Sequence, residues 1–90
     1  MKLHSFQRER NEHQEREKLL SDYRQAAIRL AQARKRVNYY AAMREDPANA
    51  RVATTHYDHA AAILLQLEVD MQDMHLRALE LGVKLDGDAA

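Results

Sequence analysis

Residues 53–81, ATTHYDHAAAILLQLEVDMQDMHLRALEL, decide the fold. Apolar side chains recur there in alternating steps of four and three: Ala53, Tyr57, Ala60, Leu64, Leu67, Met71, Met74, Ala78 and Leu81. That spacing is the inward-facing seam of a coiled-coil helix. A second row, Ala62, Leu65, Val69, Gln72, Leu76, Leu79 and Val83, repeats in steps of three and four on roughly the opposite side. A helix with one apolar row needs one neighbour, and a helix with two needs two.

The first neighbour lies upstream. Leu19, Tyr23, Ala26, Leu30, Ala33, Val37 and Tyr40 form a second seam of the same period, uninterrupted by Gly or Pro. Ala26 and Ala33 within it permit a close helix approach. Before this seam, Gln7 to Lys18 (QRERNEHQEREK) contains no apolar residue. Its charges alternate, and Glu12 with Arg16 has the favourable i,i+4 order. Residues 1–18 therefore read as a polar helical arm that buries no face, and the first helix is expected from about Ser5 to about Arg44. Glu45-Asp46-Pro47 is the clear break, with Asp46 as N-cap and Pro47 as the first residue of the second helix. A later start is offered by Thr55-His56-Tyr57-Asp58, which fits a capping box. The second helix is expected over residues 47–81, ending with Gly82 in the left-handed conformation and Val83 folding back on Ala78 or Leu79. Residues 84–90 read as a flexible tail.

The predicted fold is all-α: an antiparallel, coiled-coil-like hairpin over residues 19–83 with its turn near Asp46. Pairing outward from the turn sets Tyr40 near Ala53, Val37 near Tyr57, Leu30 near Leu64, Tyr23 near Met71 and Leu19 near Met74. This leaves the second row, Leu65, Val69, Leu76, Leu79 and Val83, without a neighbour, a larger patch than monomers usually expose. A two-fold dimer through this row, giving a four-helix bundle, is the expected solution. A different protein, or the arm or tail folding back, are the alternatives.

Composition agrees with long helices. The chain has 90 residues, 46% hydrophobic but only 6% aromatic, with two glycines and one proline to punctuate it. The absence of cysteine excludes disulfide and thiolate chemistry. No apolar run reaches the roughly 18 residues of a membrane span, and no signal-peptide core follows Met1. The expectation is a soluble protein of the cytoplasm. Net charge is zero but polarised: residues 1–36 hold ten Lys and Arg against five Asp and Glu, whereas residues 47–90 hold three against seven. Either the two halves neutralise each other side by side, or the basic half meets an acidic partner or nucleic acid.

Catalytic chemistry finds little footing. His56 and His59 are three apart on one helix, a spacing that can place two ligands on a metal, but no third ligand is near and H-E-x-x-H is absent. His4, His13 and His75 are isolated. Glu68, Asp70, Asp73 and Glu80 mark a polar face, and no Glu-x-x-His of the bundle metal sites occurs. Two glycines cannot build a phosphate loop or a dinucleotide fingerprint. No enzyme activity, metal or cofactor is expected.

The function expected is that of a small interaction module, an adaptor, assembly factor or inhibitor that occupies a partner's surface. Its partners would be a second copy of itself and a larger protein. The self-association or partner surface is the row Leu65, Val69, Leu76, Leu79 and Val83. The partner surface on the first helix is Arg29, Arg34, Lys35, Arg36 and Tyr39; a tyrosine beside arginines is the composition of interface hot spots. Nucleic-acid binding through that basic face is the second reading. It ranks lower because five acidic residues interleave the same half and the whole chain is neutral. A purely self-assembling bundle is the third.

Overall fold

The computed structural model describes residues 2–85, with side chains from residue 7 onward; Met1 and 86–90, most of the expected tail, lie outside the described residues. Two helices account for nearly all of it: α1, Lys2–Met43, and α2, Ala50–Leu81. They pack antiparallel against each other as a rod of 70 × 25 × 15 Å. At a rise of about 1.5 Å per residue, α1 is roughly 15 Å longer than α2 and runs on past its C-terminal end. Residues 7–18 of this extension are exposed throughout, as a segment without apolar side chains must be.

Contacts along the rod fix the register. Leu19 packs with Met74 and Ala78, Tyr23 meets His75, and Tyr40 meets His56. The pairing counted outward from the turn therefore holds to within about one helical turn. Leu19, Ala26, Ala33, Ala53, Ala60, Ala78 and Leu85 are the buried apolar residues. Five of these seven are alanines, and among the described residues no side chain larger than alanine is fully enclosed. The bulkier seam residues, among them Tyr23, Leu30, Val37, Tyr57, Leu64 and Met71, remain half-buried. Two cylinders in contact cover only a narrow strip, so a seam of small residues seals and its large flanking residues do not.

The turn departs from expectation. Asp46 does not cap α2. Its Oδ1 accepts from the Ala48 N–H at 3.1 Å and its Oδ2 from the Asn49 side-chain amide at 3.1 Å. The Asn49 N–H also donates to the Asp46 carbonyl at 3.0 Å. The carboxylate thus closes a tight turn around Pro47, as aspartate does when its side chain bonds two residues onward. The first helical bond of α2 comes later, from the Ala53 N–H to the Asn49 carbonyl at 2.8 Å. Thr55, the alternative start, lies inside the helix with its hydroxyl donating to the Arg51 carbonyl at 3.4 Å.

The other end of α2 follows its sequence signature. Gly82 takes the left-handed conformation, φ 69° and ψ 32°. The Val83 N–H donates to the Ala78 carbonyl at 2.9 Å and the Gly82 N–H to the Leu79 carbonyl at 3.3 Å. This reversal turns the chain back on the hairpin. Val83 packs beside Leu19 and Ala78, and Leu85, expected in a flexible tail, is buried in the same cluster.

Candidate functional site

The outer side of α2 carries the first candidate surface. Leu65 is 63% exposed, Val69 43%, Leu76 56% and Leu79 78%. Helix geometry places these four on one side, pointing away from α1. Val83 does not continue the row, because the reversal at Gly82 turns it onto the core cluster. The row is flanked by exposed Glu68, Asp73 and Glu80.

The basic residues of α1 spread over several directions. Arg29, Arg34, Lys35, Arg36 and Tyr39 are all exposed, Tyr39 at 61%. At about 100° per residue, Arg34, Lys35 and Arg36 point three ways. Arg29 and Arg36 face the groove between the helices, two turns apart, and Arg34 and Lys35 do not line it. None of the four cations makes an ion pair among the described residues. The ion pair that does cross the hairpin has the opposite polarity, with Arg77 of acidic α2 on Glu15 of basic α1 at 2.6 Å. Among the described residues, no ion pair joins the basic majority of α1 to the acidic majority of α2. Arg77 also holds Glu80 at 2.6 Å, and the Glu80 hydrogen bond followed by the charge of Glu15 keeps its guanidinium above the usual range. Being exposed, this network is a register mark more than a source of stability.

The groove itself is the second candidate surface. Small Ala33 and Ala60 in the seam leave a cleft of about 330 Å³ between the helices. Arg29, Gln32 and Arg36 line it from α1; His56, His59, Ile63 and Leu67 line it from α2. Tyr40 closes the end nearest the turn, its ring stacked on His56 at 5.1 Å and 19°. Toward the chain ends the groove continues past Arg29 and Leu67 to Asp22, Asp70 and Met74, so its charge changes sign along its length.

The three seam tyrosines share a pattern. Tyr40 stacks on His56, Tyr23 meets His75 edge-on at 5.3 Å, and Tyr57 lies under Arg44 at 4.2 Å. Each half-buried ring is finished by a nitrogen-bearing side chain of the opposite helix or the turn. Tyr39 stands edge-on to Tyr40 at 5.3 Å and leaves its other surface open. Sequence reasoning placed the tyrosines in the seam but missed the cleft. The signal for it was the coincidence of Ala33 and Ala60 at one level of the hairpin, between Arg29, Arg36, His56 and His59.

No group of three or more His, Asp or Glu gathers as metal ligands among the described residues. No helix among them is long and apolar enough to cross a membrane. No protein-family model matches the chain, and neither a curated protein nor a solved structure is similar enough to it to show a relationship.

Proposed function

We propose that this protein is a non-enzymatic helical interaction module, an adaptor or inhibitor type of protein that self-associates through α2 and engages a larger protein through the exposed basic residues and Tyr39 of α1. The observation that carries the reading is the exposed row Leu65, Val69, Leu76 and Leu79 on a hairpin whose sealed core is mostly alanine. Such a hairpin gains from any surface that covers the row, and the row suits a second copy. It is nearly symmetric about Gln72: an antiparallel pairing centred there sets Leu65 opposite the second copy's Leu79 and Val69 within one residue of its Leu76. Two hairpins joined this way form a four-helix bundle. Gln72 at the centre would fix the register, as single polar seam residues do.

The partner surface on α1 is supported by four cations that form no ion pair among the described residues and by the exposed Tyr39. The same cations are what favour the second reading, a nucleic-acid-binding hairpin. The test is affinity capture of the tagged full chain from its own host, with and without nuclease. A stoichiometric protein that survives nuclease and is lost on Arg34→Ala with Lys35→Ala and Arg36→Ala supports the module. Capture that vanishes with nuclease and falls steeply with salt replaces it by the nucleic-acid reading.

A further inference from the structure

The cleft between the helices combines three features that do not follow from packing two helices. Its floor is apolar, from Ala33, Ala60, Ile63 and Leu67. Its rim brings Arg29 and Arg36 of α1 toward His56 and His59 of α2, with no carboxylate among the lining residues. Its volume, about 330 Å³, is within the range of small-molecule sites. Neither arginine spends its charge on an ion pair among the described residues. We propose that this cleft binds a small amphiphilic acid: an aromatic or short aliphatic body on the Ala33–Ala60 floor, with an anionic group held between Arg29 and Arg36.

The groove's own charges limit the length of such a ligand. At the turn end it meets the stacked pair Tyr40–His56. Beyond Arg29, Asp22 and Asp70 line the groove and repel an anion. The stretch from Arg29 to Tyr40 is eleven residues, about 16 Å of helix, enough for a compact acid and too short for a long acidic segment. Arginine is suited to the role because its planar fork presents several donors to a carboxylate, sulfonate or phosphate.

The experiment uses the full chain and two dyes of the same aromatic body: 1-anilinonaphthalene-8-sulfonate, which carries the anion, and N-phenyl-1-naphthylamine, which does not. Fluorescence titration should give saturable one-to-one binding of the sulfonate and roughly tenfold or weaker binding of the neutral dye. Arg29→Ala with Arg36→Ala should weaken the sulfonate roughly tenfold or more and leave the neutral dye unchanged. Ile63→Glu, which adds a carboxylate to the floor, should abolish sulfonate binding. Arg34→Ala with Lys35→Ala should leave it intact, as should Leu65→Asp with Leu76→Asp on the outer face of α2. Equal binding of both dyes overturns the proposal. So does loss of binding in the Leu65 and Leu76 variant with retention in the Arg29 and Arg36 variant, because the dye would then be on the outer row.

Discussion

Replacing Leu65 and Leu76 by aspartate tests the self-association surface directly. The four residues of the row expose 63%, 43%, 56% and 78% of their surface, the equivalent of roughly two and a half whole side chains per copy. Covering one such side chain gains about 2 kcal/mol, so two copies gain about 10 kcal/mol in gross terms. Association costs upwards of about 4 kcal/mol in lost freedom. The remainder is at most about 6 kcal/mol, a dissociation constant no tighter than tens of micromolar. Leu65 and Leu76 supply about half of the gross term, so Leu65→Asp with Leu76→Asp removes about 5 kcal/mol before any charge effect and weakens the dimer by more than about a thousandfold. The new carboxylates also fall beside Glu68, Asp73 and Glu80, which adds to the loss. Sedimentation equilibrium from about 10 µM to about 1 mM brackets the constant. The parent chain should shift from monomer to dimer across this range and the variant should stay monomeric. Circular dichroism should show the variant as helical as the parent, because both leucines already face solvent within the hairpin. An unchanged dimer in the variant refutes the interface. A parent that stays monomeric throughout refutes self-association and leaves the row to a different protein.

Four further outcomes follow. The α2 dimer should tighten as salt rises from about 0.05 M to about 0.5 M, because screening relieves the facing Glu68, Asp73 and Glu80 carboxylates; nucleic-acid binding would weaken over the same range, so one titration separates the two readings. Gly82→Ala should cost about 1–2 kcal/mol, a fall in melting temperature of roughly 5–10 °C, because φ 69° burdens any residue with a Cβ; open space around Gly82 excludes a clash with the rest of the fold, and an unchanged melting temperature would contradict the left-handed stop. Leu19→Ala, in the cluster with Ala78 and Leu85, should cost about 2 kcal/mol, the low end for a core leucine because the site is open at its sides. Ala60→Leu should destabilise by about 1–3 kcal/mol by forcing the helices apart at the seam, and it should also fill the cleft and block dye binding, which an effect on stability alone would not do.

The hairpin was legible because its two seams keep one period for seven and nine positions and only one proline interrupts the chain. The stop at Gly82 was legible because the reversal is a local backbone event that sequence spells out. The start of α2 was not, because Asp46 has two local options, capping a helix or closing a turn, and both use the same carboxylate. Bonds to Ala48 and Asn49 decide for the turn, and the sequence does not rank those bonds against helical ones. Leu85 was hidden for a different reason. Its burial depends on where the chain points after Gly82, which is set by one dihedral pair and not by any pattern in Lys84 to Ala90. The charge split did not identify the cross-hairpin ion pair, because opposite signs on two helices say nothing about which side chains face each other. The one ion pair that crosses the described hairpin joins the minority charges of each half, Glu15 and Arg77.

Alanine in the seam ties the fold to both candidate surfaces. Small residues at positions 26, 33, 53 and 60 form the buried strip of the contact, while the larger seam residues beside them stay half-buried. A seam of leucines would have filled the groove and sealed the flanks, giving a hairpin with more burial and no cleft. This one instead forms its contact from methyl groups, leaves Arg29 and Arg36 standing over an apolar floor, and leaves the outer leucines of α2 in water. Stability and binding are therefore coupled. Anything that covers the outer row or occupies the cleft favours the folded chain over the unfolded one in proportion to its affinity. The melting temperature of the parent chain should accordingly rise with its own concentration and with the anionic dye, and each rise should vanish separately in the Leu65/Leu76 and Arg29/Arg36 variants.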